Sequence, residues 1–228
     1  MPIVDLIIPV LNEEASIGLV LKDLPKHILR HIIVCDNGSS DQTMHIATSC
    51  GAVVLQEPRR GYGNACLKGM EYIAQQDTKP DIVVFLDGDY SDFPEELPDI
   101  AKPITDQQAD LVIGARNREM REAGSMTPQQ VFGNWLACRM IHILYGHTFT
   151  DLGPFRAIAY PKLLELDMCD RNYGWTVEMQ VKALKKQLKI VEVPVHYRKR
   201  KGTSKVSGTI KGTIGAGYKI IKTILKYS

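Results

Sequence analysis

The sequence predicts an α/β fold, a single domain built on a mostly parallel central sheet flanked by helices. Three observations point to it. Apolar runs of strand length alternate with helical stretches through the first half. The first run, Ile3–Val10, is almost continuously apolar, as a strand buried on both faces must be. Polar clusters, NEE, DNGSSD and DGDYSD, follow three strands in turn, at the ends where open parallel sheets bind ligands.

Taken in order, Ala15–Leu24 reads as a helix, Arg30–Cys35 as a strand and Asp41–Cys50 as a helix. Ser39 and Ser40 supply N-cap chemistry for that helix, and Asp41 suits its first turn. Ala52–Leu55, Asp81–Leu86 and Asp110–Gly114 are further short strands, separated by helices over Gly63–Gln76 and Glu95–Ile104. This βαβα order sets helices on both faces of the sheet. The second half is less regular. Pro128–Gly146 is an amphipathic helix with Val131, Phe132, Trp135, Leu136, Ile143 and Leu144 as its apolar members. Asp151–Ala157 is a loop or short strand, Thr176–Lys186 a helix and Ile190–Val195 a last strand. No repeat or Pro/Ser-rich linker divides the chain, so residues 1–205 form the main domain and 206–228 a C-terminal helix.

A length of 228 residues with 44% hydrophobic content suits one core and excludes a disordered chain. The five cysteines, Cys35, Cys50, Cys66, Cys138 and Cys169, have neither CxxC nor zinc-like spacing. With no secretory leader at the start, they read as free thiols in a cytoplasmic protein. No apolar run reaches the roughly 20 residues of a membrane span. The net charge of +2 hides an asymmetry. Val193–Ser228 holds nine Lys or Arg and no acid, which leaves the first 192 residues at −7. A basic tail on an acidic body fits an anionic partner, or a solvated tail.

The chemistry-bearing residues lie in the polar clusters. Asp87 and Asp89 follow the strand Ile82–Leu86, and two carboxylates flanking Gly88 can converge on one divalent cation, Mg2+ or Mn2+. Such an ion neutralises charge developing on a diphosphate leaving group. Asp36 ends another apolar strand, as a ligand-facing acid or as a cap for the next helix. Glu13 and Glu14 after Pro9 belong to the same set, or simply enrich a helix N-terminus in acids.

PVLNEE (Pro9–Glu14), DNGSSDQT (Asp36–Thr43), RRGYGNA (Arg59–Ala65) and LDGDYSD (Leu86–Asp92) together resemble the family-2 glycosyltransferases of the GT-A fold. GAR (Gly114–Arg116), DLGPFRA (Asp151–Ala157) and YRKRKGTSK (Tyr197–Lys205) continue the resemblance, in the direction of the dolichyl-phosphate mannose synthase and polyprenyl-phosphate branch. The resemblance implies that Pro9, Leu11 and Glu13 hold the base and ribose of a nucleotide-diphosphate sugar, with Asp36 facing the base. It implies that Asp87 and Asp89 bind the metal, while Ser91 stands where related synthases often have glutamine. Arg116 and Arg156 match arginines near sugar or acceptor. Arg200, Ser204 and Lys205 match a flexible basic loop that closes over phosphates. DLGPFRA departs from the SGFRA form, which weakens any copying of the acceptor identity.

The implied reaction moves a hexose from a UDP- or GDP-sugar, with inversion, to a polyprenyl or dolichyl phosphate. An acceptor hydroxyl would need a positioned carboxylate, for which Glu178 and Asp151 are the candidates. A lipid phosphate would not, because its second pKa is about 6. Glu178 also reads as a helix residue paired with a nearby Lys or Arg. At about 100° per residue, Lys211, Lys219, Lys222 and Lys226 fall within roughly 80° of one another. They oppose Val206, Ile210, Ile214, Ile221, Ile224 and Leu225. The C-terminal helix therefore either lies at the cytoplasmic face of a membrane as a peripheral contact or docks on the protein's own core. Two rivals are a glycosyltransferase acting on a saccharide or small-molecule hydroxyl and a non-catalytic nucleic-acid-binding module. No nucleic-acid recognition motif supports the second, and no nucleic-acid partner is expected.

Overall fold

The structure, a computed structural model, describes residues 2–202 and 210–227, the side chains of 210–214 excepted. Strand β1 (Val4–Val10) leads to helix α1 (Ile17–Asp23), strand β2 (Leu29–Asp36), helix α2 (Thr43–Ser49) and strand β3 (Val53–Gln56). Helix α3 (Tyr62–Gln75), strand β4 (Ile82–Phe85), helix α4 (Leu97–Thr105) and strand β5 (Leu111–Ala115) follow. The second half holds α5 (Pro128–Tyr145), β6 (Arg156–Ala159), α6 (Tyr160–Glu165), α7 (Trp175–Lys185), β7 (Ile190–Pro194) and α8 (Ile210–Lys226).

The strands form one seven-stranded sheet in the order β3-β2-β1-β4-β6-β5-β7. Only β6 runs against its neighbours β4 and β5, so the sheet is mostly parallel, as expected. Every residue of β1 is buried. Alternate side chains serve two cores. Leu6, Ile8 and Val10 pack with Ile17, Leu21, Leu97 and Ile100 of α1 and α4. Ile7 faces the other way, toward the layer of Ile73, Ile141 and Met179 from α3, α5 and α7.

Four local details correct or go beyond the sequence expectations. Ser39 and Ser40 do not cap α2, which begins at Thr43 with no side-chain cap. Instead the Ser39 hydroxyl accepts the Asn12 N–H at 2.8 Å, and the Ser40 N–H donates to the Asn12 side chain at 2.8 Å. The serines thus tie the loop after β2 to the loop after β1. Second, the segment read as loop or short strand is a loop over 151–155 and then opens β6, which goes further than expected in being an interior strand, pairing Arg156 with both Phe85 and Ile113. Third, α6 follows it without having been foreseen.

The fourth concerns α5. Its start carries a capping box, Thr127 with Gln130, and Gly146 closes it in the left-handed region at φ 70°. Yet the residues read as its apolar face point outward: Phe132 is 61% exposed, Trp135 59% and Ile143 67%. The smaller Ala137 and Cys138, with Ile141, face the core instead.

Helix α8 docks on the molecule, one of the two alternatives left open. Ile224 is fully buried, the Tyr145 hydroxyl donates to its carbonyl at 2.8 Å, and Lys219 pairs with Asp170 at 2.8 Å. Among the described residues, no helix is long and apolar enough to cross a membrane. Val206 lies outside the described residues.

Candidate active site

The ends of β1, β2 and β4 converge on a cleft of about 360 Å³. Of the residues singled out in the sequence, Pro9, Leu11, Glu13, Asp87, Asp89 and Arg200 line it. Gly88 lets the aspartate turn settle against β1, because a β-carbon there would lie 2.6 Å from a Val10 methyl. Tyr90 follows in the left-handed region at φ 63°, a strained setting for an aromatic residue. Arg198 holds it, with its guanidinium 3.5 Å from the Tyr90 ring centroid and its Nε donating to the Tyr90 carbonyl at 2.8 Å.

The basic segment lies across this turn. The N–H groups of Arg198 and Lys201 donate to the carbonyls of Ser91 and Asp89, each at 2.9 Å. Arg200 then bridges two acids, Glu13 at 2.6 Å and Asp89 at 3.3 Å. Ser91 is buried, and its hydroxyl donates to Asp89 Oδ1 at 2.5 Å, so it orients that carboxylate. Ser204 and Lys205 lie outside the described residues.

Burial, and then the charge of Asp89, push the Asp87 carboxyl up to about 7, against partial relief from Tyr62, Arg200 and Arg116. The Tyr62 hydroxyl donates to Asp87 at 2.9 Å. Asp92 lies behind the pair. Burial, with the charges of Asp87 and Asp89, lifts its carboxyl well above the ordinary range, and among the described residues neither oxygen has a hydrogen-bond partner. These are hard oxygen donors under mutual repulsion, the setting a divalent cation relieves. Among the described residues no set of three acids, histidines or cysteines gathers to hold a metal. Asp87 and Asp89 face the cleft as a pair of carboxylates.

Other sequence expectations fail to reach the cleft. Asp36 does not line it: the carboxylate is buried and accepts the N–H groups of Gly38 and Ser39, each at 3.0 Å, capping its own turn. Arg116 and Asp151 lock each other in a two-pronged pair at 2.6 and 2.7 Å. Burial raises the Asp151 carboxyl, but Arg116 outweighs it and holds the group below its usual value. Arg156 is fully buried and donates to the carbonyls of Leu152, Gly153 and Thr176.

Glu178 is likewise no open base. It is fully buried, pairs with Lys182 at 2.9 Å, and accepts from the Asp170 N–H at 2.7 Å and the Tyr227 hydroxyl at 2.7 Å. Burial pushes its carboxyl up, yet hydrogen bonds from Cys169, Lys182, Asp170 and Tyr227 hold it below the ordinary glutamate range.

The sequence reading missed Asn37, Arg60, Tyr62, Asn172 and Tyr173, all of which line the cleft. Asn37 is a clasp: its amide donates to the carbonyls of Glu57 and Arg59 and accepts the Gly61 N–H at 2.7 Å. The glycines of RRGYGNA were the available signal for Asn172 and Tyr173. A β-carbon at Gly63 would lie 2.0 Å from the Asp170 carbonyl oxygen, so only glycine admits the strand of chain carrying those two residues.

With this geometry in view, comparison with known proteins is informative. The profile of glycosyl transferase family 2 matches residues 5–163. An uncharacterised glycosyltransferase of Mycobacterium bovis is 36% identical over 217 residues, 92% of this chain and 93% of its own. A dolichyl-phosphate hexose transferase of Haloferax volcanii is 31% identical over 217 residues, 94% of this chain and 91% of its own. In structure, the chain resembles glucosyl-3-phosphoglycerate synthase from Mycobacterium tuberculosis, solved with Mn2+, UDP and glucosyl-3-phosphoglycerate. The TM-score is 0.75 at 22% identity, over 99% of this chain and 80% of that one. The sheet order, the paired aspartates after β4 and these likenesses agree: the protein belongs to glycosyl transferase family 2 and is a glycosyltransferase of the GT-A fold.

Proposed function

We propose that this chain moves a hexose from a UDP- or GDP-sugar to a polyprenyl or dolichyl phosphate, with inversion and with Mg2+ or Mn2+ bound. The observation that carries the reading is the meeting of Glu13, Asp87, Asp89 and Arg200 around one cleft at the carboxyl ends of β1 and β4. UDP is the nucleotide to test first, since the structural neighbour was solved with UDP and Mn2+.

In this reading Pro9, Leu11 and Asn37 border the nucleoside, and Arg200 faces the diphosphate with its guanidinium fork. Asp87 and Asp89 would hold the cation, which supplies charge neutralisation to the departing diphosphate. Ser91 fixes the Asp89 carboxylate in place. The acceptor oxygen attacks the anomeric carbon from the face opposite the diphosphate.

The state of the two candidate bases favours a phosphate acceptor. Glu178 is sealed by four donors and Asp151 by Arg116. A phosphate monoester arrives already ionised and requires neither. The Haloferax relative, a dolichyl-phosphate hexose transferase by name, agrees in acceptor class.

The test is transfer of labelled hexose from UDP- and GDP-sugars to a short-chain prenyl phosphate, by wild type and Glu178→Gln. A phosphate acceptor predicts turnover within about threefold of wild type in folded Glu178→Gln. A hydroxyl acceptor using that base predicts a loss of about 100-fold or more, and no prenyl phosphate product at all would overturn the reading.

A further inference from the structure

The outward face of α5 is apolar and uncovered. Val131, Phe132, Trp135 and Ile143 share it and are all exposed, with three of them beyond half. An aromatic pair left this open on adjacent turns is unusual for a surface helix and marks a contact site. Phe132 and Trp135 lie against each other, ring centroids 5.8 Å apart. The helix contains no acidic residue, and neither does α8 beside it. Exposed cations accompany the apolar face: Arg139 lies within it, between Trp135 and Phe132, and the α8 helix packed on α5 exposes Lys222 and Lys226 with Tyr218 and Leu225. A recess of about 190 Å³ opens there between Trp135, Cys138, Arg139, His142, Thr148 and Phe149.

Resting on the lipid-phosphate reading above, we infer that this face of α5 is the surface on which the protein lies against an anionic lipid bilayer. Its apolar side chains enter the acyl boundary, and the cations meet headgroup phosphates. Arg139 at the recess is placed for one such phosphate. A second copy fits this face poorly. A two-fold contact would bring the cations of both copies into one interface, with no acid on either helix to offset them. The placement also serves the reaction. Asn134 of α5 donates to the Thr150 carbonyl at 3.1 Å and accepts the Leu152 N–H at 2.9 Å. It thereby holds the loop of Asp151, whose partner Arg116 bears on the charge of Asp87. The lipid surface and the cleft are linked through one helix.

The chain's two tryptophans make the inference readable, because Trp135 is 59% exposed and Trp175 only 1%. Full-length protein is mixed with vesicles of equal phosphatidylglycerol and phosphatidylcholine, free of prenyl phosphate. Expected are co-sedimentation, a blue shift of the emission, and quenching by acyl-brominated lipid, with shift and quenching lost in Trp135→Phe. Phe132→Ser with Trp135→Ser should weaken partitioning by about tenfold or more at unchanged Tm. Arg139→Glu, which leaves the apolar face intact, should weaken it on phosphatidylglycerol and not on phosphatidylcholine alone. No sedimentation, sedimentation with Trp135 emission unchanged, or a lipid-free dimer that already shields Trp135 from iodide would overturn the inference. Vesicle binding without transfer to short-chain prenyl phosphate sinks the acceptor reading alone. Transfer without vesicle binding sinks the surface alone.

Discussion

Burial and the charge of Asp89 raise the Asp87 carboxyl from 3.8 to about 7, and that shift sets folding against chemistry. Below pH 4 the group is protonated in folded and unfolded chains alike, and the fold bears no penalty. As pH climbs from about 4 to 7, the unfolded chain ionises first, so stability of the metal-free protein falls. Above 7 the full penalty stands, and a bound cation offsets it. Asp87→Asn removes the penalty. In EDTA at pH 8 it should melt about 5 °C above wild type, converge with it near pH 4, and lose any Tm gain from Mn2+. A melting curve for Asp87→Asn matching wild type at pH 8 would contradict this. Glu178 shows the opposite balance, since its hydrogen bonds outweigh its burial. Glu178→Gln should therefore cost about 2 kcal/mol of stability in urea unfolding, through donors left unpaired.

Among the elements, those built on local pattern were legible and those built on distant pairing were not. The apolar runs of β1, β2 and β4 and the periodicity of α3 and α7 fixed their positions to within a residue or two. Strand β6 has four residues, and its place between β4 and β5 depends on partners about 45 to 75 positions away, so nothing local announces it. The face of α5 misled because burial there went to Ala137, Cys138 and Ile141, while the larger side chains stayed outside. In the site, motif positions marked Glu13, Asp87, Asp89 and Arg200. Asn172 and Tyr173 had no motif, and only the glycines they pass over hinted at them. Gly63→Ala tests that close approach. It should destabilise the fold by about 3 kcal/mol and weaken nucleotide binding, whereas Gly133→Ala, inside α5 with open space around it, should leave binding unchanged and stabilise by about 0.5–1 kcal/mol.

The whole molecule joins an acidic cleft, an anchored basic segment and a C-terminal helix docked over the second half. Of the basic segment, Arg200 pairs with the acids of the cleft in the free protein, shared between Glu13 and Asp89. That arrangement implies an exchange of partners when a diphosphate and a cation enter together, so each ligand should bind weakly without the other. Calorimetric titration of UDP with and without Mn2+, on wild type and Asp89→Ala, tests the cleft most directly. The expected result is UDP binding at least about tenfold tighter with Mn2+ in wild type, and no metal effect in Asp89→Ala. Metal-independent binding in wild type, or an undiminished Mn2+ effect in Asp89→Ala, would contradict the account.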